Sequence, residues 1–169
     1  MKDKKILFLT QAAMIAAVYV VLTYVFAPIS FGEIQVRISE ALTILPVFTP
    51  AAIPGLFVGC LIGNMLGGAI LPDILMGSLA TLIGAYGTWK LKNILIRHLP
   101  LPAVLPPIIS NMVIVPLVLR FGYGINMPIP LMMLTVGIGE VISCGILGLL
   151  VYGILSKYKE PIFRNSGQL

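Results

Sequence analysis

Charge is what this chain has least of: Asp, Glu, Lys and Arg together make 10% of it, against roughly 25% in an average soluble domain. That scarcity excludes a surface built for water. Histidine occurs once, as His98, and cysteine twice, as Cys60 and Cys144. With no CxxC and no neighbouring His, both cysteines read as small buried hydrophobes, and neither a metal nor redox work is expected of them. GxxxxGK[ST], HExxH and GxSxG are missing as well, which removes a nucleotide-hydrolysing loop, a zinc-protease helix and a nucleophile elbow. No enzyme activity and no cofactor are expected.

Apolar residues fill the space that charge leaves. Hydrophobic residues make up 59% of the 169, and the mean hydropathy is +1.05; the chain reads as an all-α integral membrane protein, a single transmembrane domain over residues 1–169. A net charge of +5 would point to nucleic acid in a soluble protein. Here the basic residues flank apolar runs and act as topology signals, so the expected surroundings are a lipid bilayer and not DNA or RNA.

A bilayer crossing takes roughly 17–25 apolar residues. Six runs are expected to be transmembrane helices: Ile6–Phe26, a short second one at Ile38–Phe48 closed by Pro46 and Pro50, then Ala51–Ile70, Ile74–Leu95, Pro102–Leu119 and Pro130–Leu155. MKDKK at the start is charged but precedes no small-residue cleavage site, so the first run reads as a retained helix. Six crossings leave both termini on one side. Nine of the eleven basic residues fall on that side, Lys2, Lys4, Lys5, Lys90, Lys92, Arg97, Lys157, Lys159 and Arg164, with only Arg37 and Arg120 opposite. The positive-inside bias then makes the termini cytoplasmic. Tyr86 and Trp89 read as interfacial belt residues, and His98 as solvated in the inner loop.

The polar stretch between the first two runs, Phe31–Pro46 (FGEIQVRISEALTILP), is where the chemistry concentrates. Glu33, Gln35, Arg37 and Ser39 alternate with Ile34, Val36 and Ile38, which suits an extended segment; from Glu40 the period changes to that of a helix ending near Pro46. Ionisable groups beside lipid-soluble helices are costly unless they pair or face a ligand. Glu33, Arg37 and Glu40 could form a salt-bridge cluster within the loop, or they could bind. Asp73 lies with Glu33 and Glu40 on the outer side, whereas Glu140, about 15 Å into the last run at 1.5 Å per residue, sits near mid-membrane. A lone mid-span carboxyl is a functional candidate by default. Asn64 and Asn111 are amides within apolar runs that either glue helices together or line a cavity. Phe31, Phe121 and Tyr123 offer flat rings for stacking.

Small residues mark the close-packing faces. Gly55, Gly59, Gly63 and Gly67 form a four-residue ladder on the third run, and Ala12/Ala16 and Ala13/Ala17 form two overlapping AxxxA pairs on the first. Both patterns invite another helix.

Six short spans, cytoplasmic termini, the AxxxA pairs and FGEIQVRISEALTILP together resemble the QueT family, substrate-binding S components of energy-coupling factor (ECF) transporters, over essentially the whole chain. The resemblance implies import of a queuosine precursor of 7-deazaguanine type, such as 7-aminomethyl-7-deazaguanine or queuine, across a prokaryotic plasma membrane. It also implies a membrane coupling subunit, EcfT, and two cytoplasmic ATPases as partners. Ala12, Ala13, Ala16 and Ala17 would meet the coupling subunit; Glu33, Gln35, Arg37, Glu40, Asn64, Asp73, Asn111 and Glu140 would be the substrate-binding candidates. Carboxylates suit such a ligand's amine and the N–H donors of its guanine edge, and an amide or Arg suits its carbonyl. The alternatives are a stand-alone secondary carrier, for which an internal repeat is expected and none is evident, and an S component for another small cationic, vitamin-like ligand.

Overall fold

In a computed structural model residues 2–30 and 36–158 are described, and among them there are helices and no strand. The helices are α1 (Lys2–Val25), α2 (Ile38–Val47), α3 (Ala52–Leu66), α4 (Leu71–Leu91), α5 (Leu101–Phe121) and α6 (Ile129–Lys157), with a single turn at Ala27–Ser30 after α1. Three of them, α1, α5 and α6, are long and apolar enough to cross a membrane, whereas α2 and α3 are apolar but shorter. Their outward faces are large and apolar: Leu9, Met14, Val18 and Val21 on α1, and Leu134, Ile138 and Val141 on α6, all stand exposed. Such a surface matches lipid tails.

Several boundaries differ from those expected. The third helix stops at Leu66 and not at Ile70, because Gly68 takes a left-handed turn (φ +76°) that residues with a Cβ adopt only at a cost. α4 accordingly starts three residues early, with Pro72 in the first turn, where its missing N–H has no intrahelical partner to lose. Asp73 thereby joins that first turn, at the positive end of the helix dipole. At the far end α4 closes at Leu91 and not at Leu95. The chain then reverses over 96–99, where backbone bonds of 2.9 and 3.0 Å join Ile96 and Leu99 across Arg97 and His98, both with positive φ. Beside this end of α4, Lys90 Nζ lies 5.1 Å from the centre of the Trp89 ring and 5.4 Å from that of Tyr86, within cation–π range.

α2 is a 3-10 helix over its whole length. At about 2.0 Å per residue, ten residues reach ~20 Å in this form against ~15 Å as an α-helix, so a short segment penetrates deeply. Arg37 just before it is extended, as the alternating pattern requires. Around α2 the other elements close on every side, burying Ser39, Glu40, Ala41, Thr43, Ile44, Leu45 and Pro46. Phe48 beyond its end stacks on Tyr152 of α6 at 5.3 Å.

Glycine sets how closely the remaining helices approach. A Cβ on Gly55 would meet the Ala12 carbonyl oxygen at 2.7 Å, and one on Gly59 would meet Tyr19 Cβ at 2.8 Å; the ladder on α3 is therefore a seat for α1. Gly84 does the same for α5, where Pro107 Cα would lie 2.6 Å from an added Cβ. Within α6, Val141–Leu147 widens into π-helix, a local form that frequently marks functional sites.

Candidate functional site

The site grows from Glu40. The 3-10 helix carries this side chain into the centre of the bundle, where only 1% of it is exposed. Its Oε1 accepts a short hydrogen bond from the Tyr19 hydroxyl of α1 and is approached at 3.3 Å by the Thr81 hydroxyl of α4, which also lies 3.1 Å from the Gly77 carbonyl. Its Oε2 receives no hydrogen bond from any described residue. A buried acceptor left open in this way costs desolvation free energy that a bound donor would recover.

Glu140, 4% exposed on α6, faces the same space. Cys144, one turn further along, donates its thiol to Glu140 Oε2 at 3.1 Å and lies 3.3 Å from Thr43 Oγ1, while Thr43 donates to the Glu40 carbonyl at 2.6 Å. α2 and α6 are thereby tied together through Cys144. One carboxylate oxygen each from Glu40 and Glu140, with Cys144 Sγ, lie within 4.8 Å of one another, close enough to share a cation. Asn111 of α5 is buried beside both carboxyls without closing a hydrogen bond on Glu40 Oε2. Arg37, also buried, lies near enough for its charge to act on Glu40, Glu140, Asp73 and Tyr19.

The other expected residues stand further out. Asn64 is buried and donates to Cys60 Sγ at 3.6 Å; that sulfur lies 3.4 Å from Thr81 Oγ1, so the amide joins the network indirectly. Asp73 accepts from the Tyr123 hydroxyl at 3.0 Å, and the same phenol oxygen lies 3.4 Å from the Ile70 amide nitrogen, pinning the segment after α5 to the start of α4. Partial burial pushes the Tyr123 hydroxyl above its ordinary pKa, and the Asp73 carboxylate adds to the shift. Phe121 is exposed and lies away from this network. Glu33, Gln35 and Phe31 lie outside the described residues.

Four contributors escaped sequence reasoning: Tyr19, Thr81, Cys144 and Thr43. Tyr19 had a legible signal, since it follows Ala16 by three residues and precedes Thr23 by four, on one helix face; Thr23 donates to Ser39 Oγ at 2.8 Å. Cys144 is buried as expected, yet it serves as a donor, which a reading of cysteine as a small hydrophobe does not convey.

The two alanine pairs face different ways. Ala12 and Ala16 pack on Gly55 and Gly59 within the molecule, whereas Ala13 and Ala17 are exposed on the adjoining strip of α1.

A family model described as QueT transporter matches residues 9–157. A curated relative, "Queuosine precursor transporter QueT" of Lactococcus lactis subsp. cremoris (strain MG1363), is 36% identical over 85 residues, which is 49% of this chain and 50% of the relative. The matched stretch spans about half the length of that protein. No solved structure matches the chain. Since the family model covers the helices from α1 to α6, together with every described residue of the carboxylate network, the chain belongs to the QueT transporter family.

Proposed function

We propose that the chain is the membrane-embedded substrate-binding subunit of an ECF-type importer and captures a 7-deazaguanine queuosine precursor from outside a prokaryotic cell. The observation that carries this reading is the pair of buried carboxylates, Glu40 and Glu140, meeting Asn111 in the centre of an apolar bundle with one acceptor open. Buried charge is expensive in such a setting, and a donor-rich, cationic ligand offsets that cost. The test is titration calorimetry of the purified chain against 7-aminomethyl-7-deazaguanine, 7-cyano-7-deazaguanine and queuine; heat from none of them would sink the reading.

The chain crosses the plasma membrane six times, with both termini in the cytoplasm. The basic residues at Lys4, Lys5, Lys90, Lys92, Arg97 and Lys157 support this through the positive-inside rule. A cysteine placed at His98 should react with a membrane-impermeant maleimide only after the membrane is opened, and one at Gly124 should react in intact cells, in a background with Cys60 and Cys144 replaced. Labelling of both from one side would overturn the topology.

Energy for uptake comes from partners: a membrane coupling subunit, EcfT, and two cytoplasmic ATPases. Ala13 and Ala17, exposed on α1, form the strip that a partner helix approaches, since small residues let backbones close up. Ala17→Leu should leave ligand affinity within about threefold, ~0.7 kcal/mol, while the coupling subunit and ATPases no longer co-purify. Ala16→Leu should behave differently and lower thermal stability, because it would press on Gly59. Co-purification unaffected by Ala17→Leu would move the partner surface elsewhere.

A further inference from the structure

We infer that Glu40 and Glu140 clamp one ammonium group between them, so that this part of the site reads the ligand's exocyclic amine and not its flat guanine edge. The inference rests on the 7-deazaguanine reading above and narrows it to precursors that carry the amine.

The argument turns on which oxygens are free. Two parallel N–H donors, as on a guanine edge, need both oxygens of one carboxylate at once. Neither carboxylate offers both: Tyr19 holds Glu40 Oε1 and Cys144 holds Glu140 Oε2. Each can give one oxygen, and that arrangement suits a single nitrogen with N–H bonds pointing in different directions. Two charge-assisted bonds of ~2.8 Å opening at a tetrahedral angle place their acceptors ~4.6 Å apart. The ligating atoms here lie within 4.8 Å of one another. Glu40 Oε2 is buried with no hydrogen bond from any described residue, and Ser143 Oγ, fully buried one turn along α6 from Glu140, is likewise open.

Charge points the same way. Two ionised carboxylates and the Arg37 guanidinium sum to one negative charge, which one monocation neutralises and a divalent metal ion would overshoot. A nitrile in place of the aminomethyl group is an acceptor only, so it would turn a lone pair toward Glu40 Oε2.

Three ligands separate the outcomes on the wild-type chain by calorimetry: 7-aminomethyl-7-deazaguanine, its neutral 7-hydroxymethyl analogue and 7-cyano-7-deazaguanine. The amine should bind at least ~30-fold tighter than either, ~2 kcal/mol, and in Glu140→Gln its advantage over the nitrile should shrink to about threefold, ~0.7 kcal/mol. Equal affinities for amine and nitrile would overturn the clamp while leaving the proposed function standing. No binding of any of the three would remove both. A preference for the amine that Glu140→Gln keeps in full would place the amine elsewhere in the site and overturn the clamp. Because the hydroxymethyl analogue deletes the charge from the ligand side, the comparison does not depend on any variant folding.

Discussion

Gly59→Leu should yield a protein that loses both stability and ligand affinity, whereas Gly153→Leu should do neither. Even the first carbon of a side chain at Gly59 would lie 2.8 Å from Tyr19 Cβ and 3.1 Å from Ala16 Cα. Both belong to the body of α1 and cannot swing aside, so α1 must move off α3. Overpacking a tight contact costs about 1–3 kcal/mol and sometimes more; with roughly 2–4 °C lost per kcal/mol in a chain of this size, the midpoint of thermal unfolding in detergent should fall by about 10 °C. Tyr19 moves with the helix, and Glu40 then loses the hydroxyl that fixes Oε1. Around Gly153 nothing lies within 4 Å of an added Cβ, so the same leucine there faces open space. Equal midpoints for the two variants would show that the α1–α3 contact is slack.

That contact also explains what sequence could and could not convey. A glycine ladder and an alanine ladder each announce that some backbone comes close. Neither names the partner. The structure joins Ala12 and Ala16 to the glycines of α3 and leaves Ala13 and Ala17 outside, a choice fixed by the rotation of α1, which its nearly uniform apolar surface does not encode. Helix number and order were legible because apolar runs and their prolines dominate the chain. The bounds of α3 and α4 were less so, since Gly68 and Pro72 act within an apolar stretch where hydropathy hardly changes.

The site divides along the same line. Glu40, Asn111 and Glu140 stand out in sequence because polar groups are rare in an apolar background, and the fold brings all three together. Tyr19, Thr43 and Thr81 do not stand out, as such residues pass unremarked in a membrane helix. Their role depends on where the 3-10 form of α2 carries Glu40. An α-helix at Ile38–Val47 would be ~5 Å shorter and would turn each later side chain to another face. Nothing in the composition of ISEALTILPV selects the tighter coil, so the depth and direction of Glu40 came only with the coordinates.

Glu40→Gln is the substitution with the largest expected effect on binding and the least on fold. Tyr19 and Thr81 are both donors facing Oε1, so a glutamine orients its carbonyl oxygen toward them and keeps those contacts. Its amide nitrogen then occupies the position of Oε2, the oxygen that no described residue contacts. An acceptor becomes a donor, and a ligand N–H there meets another N–H. The charge-assisted bond that is lost is worth about 1.5–3 kcal/mol, and the opposed donors add to the loss. Affinity for 7-aminomethyl-7-deazaguanine should fall by about 100-fold, ~2.7 kcal/mol, with the thermal midpoint within a few degrees of wild type by the size scaling above. Calorimetry on the purified variant reads the first and a melting curve the second. A dissociation constant unchanged by Glu40→Gln in a folded protein would mean that Oε2 faces no ligand, and the carboxylate that binds would then have to be Glu140 or Asp73.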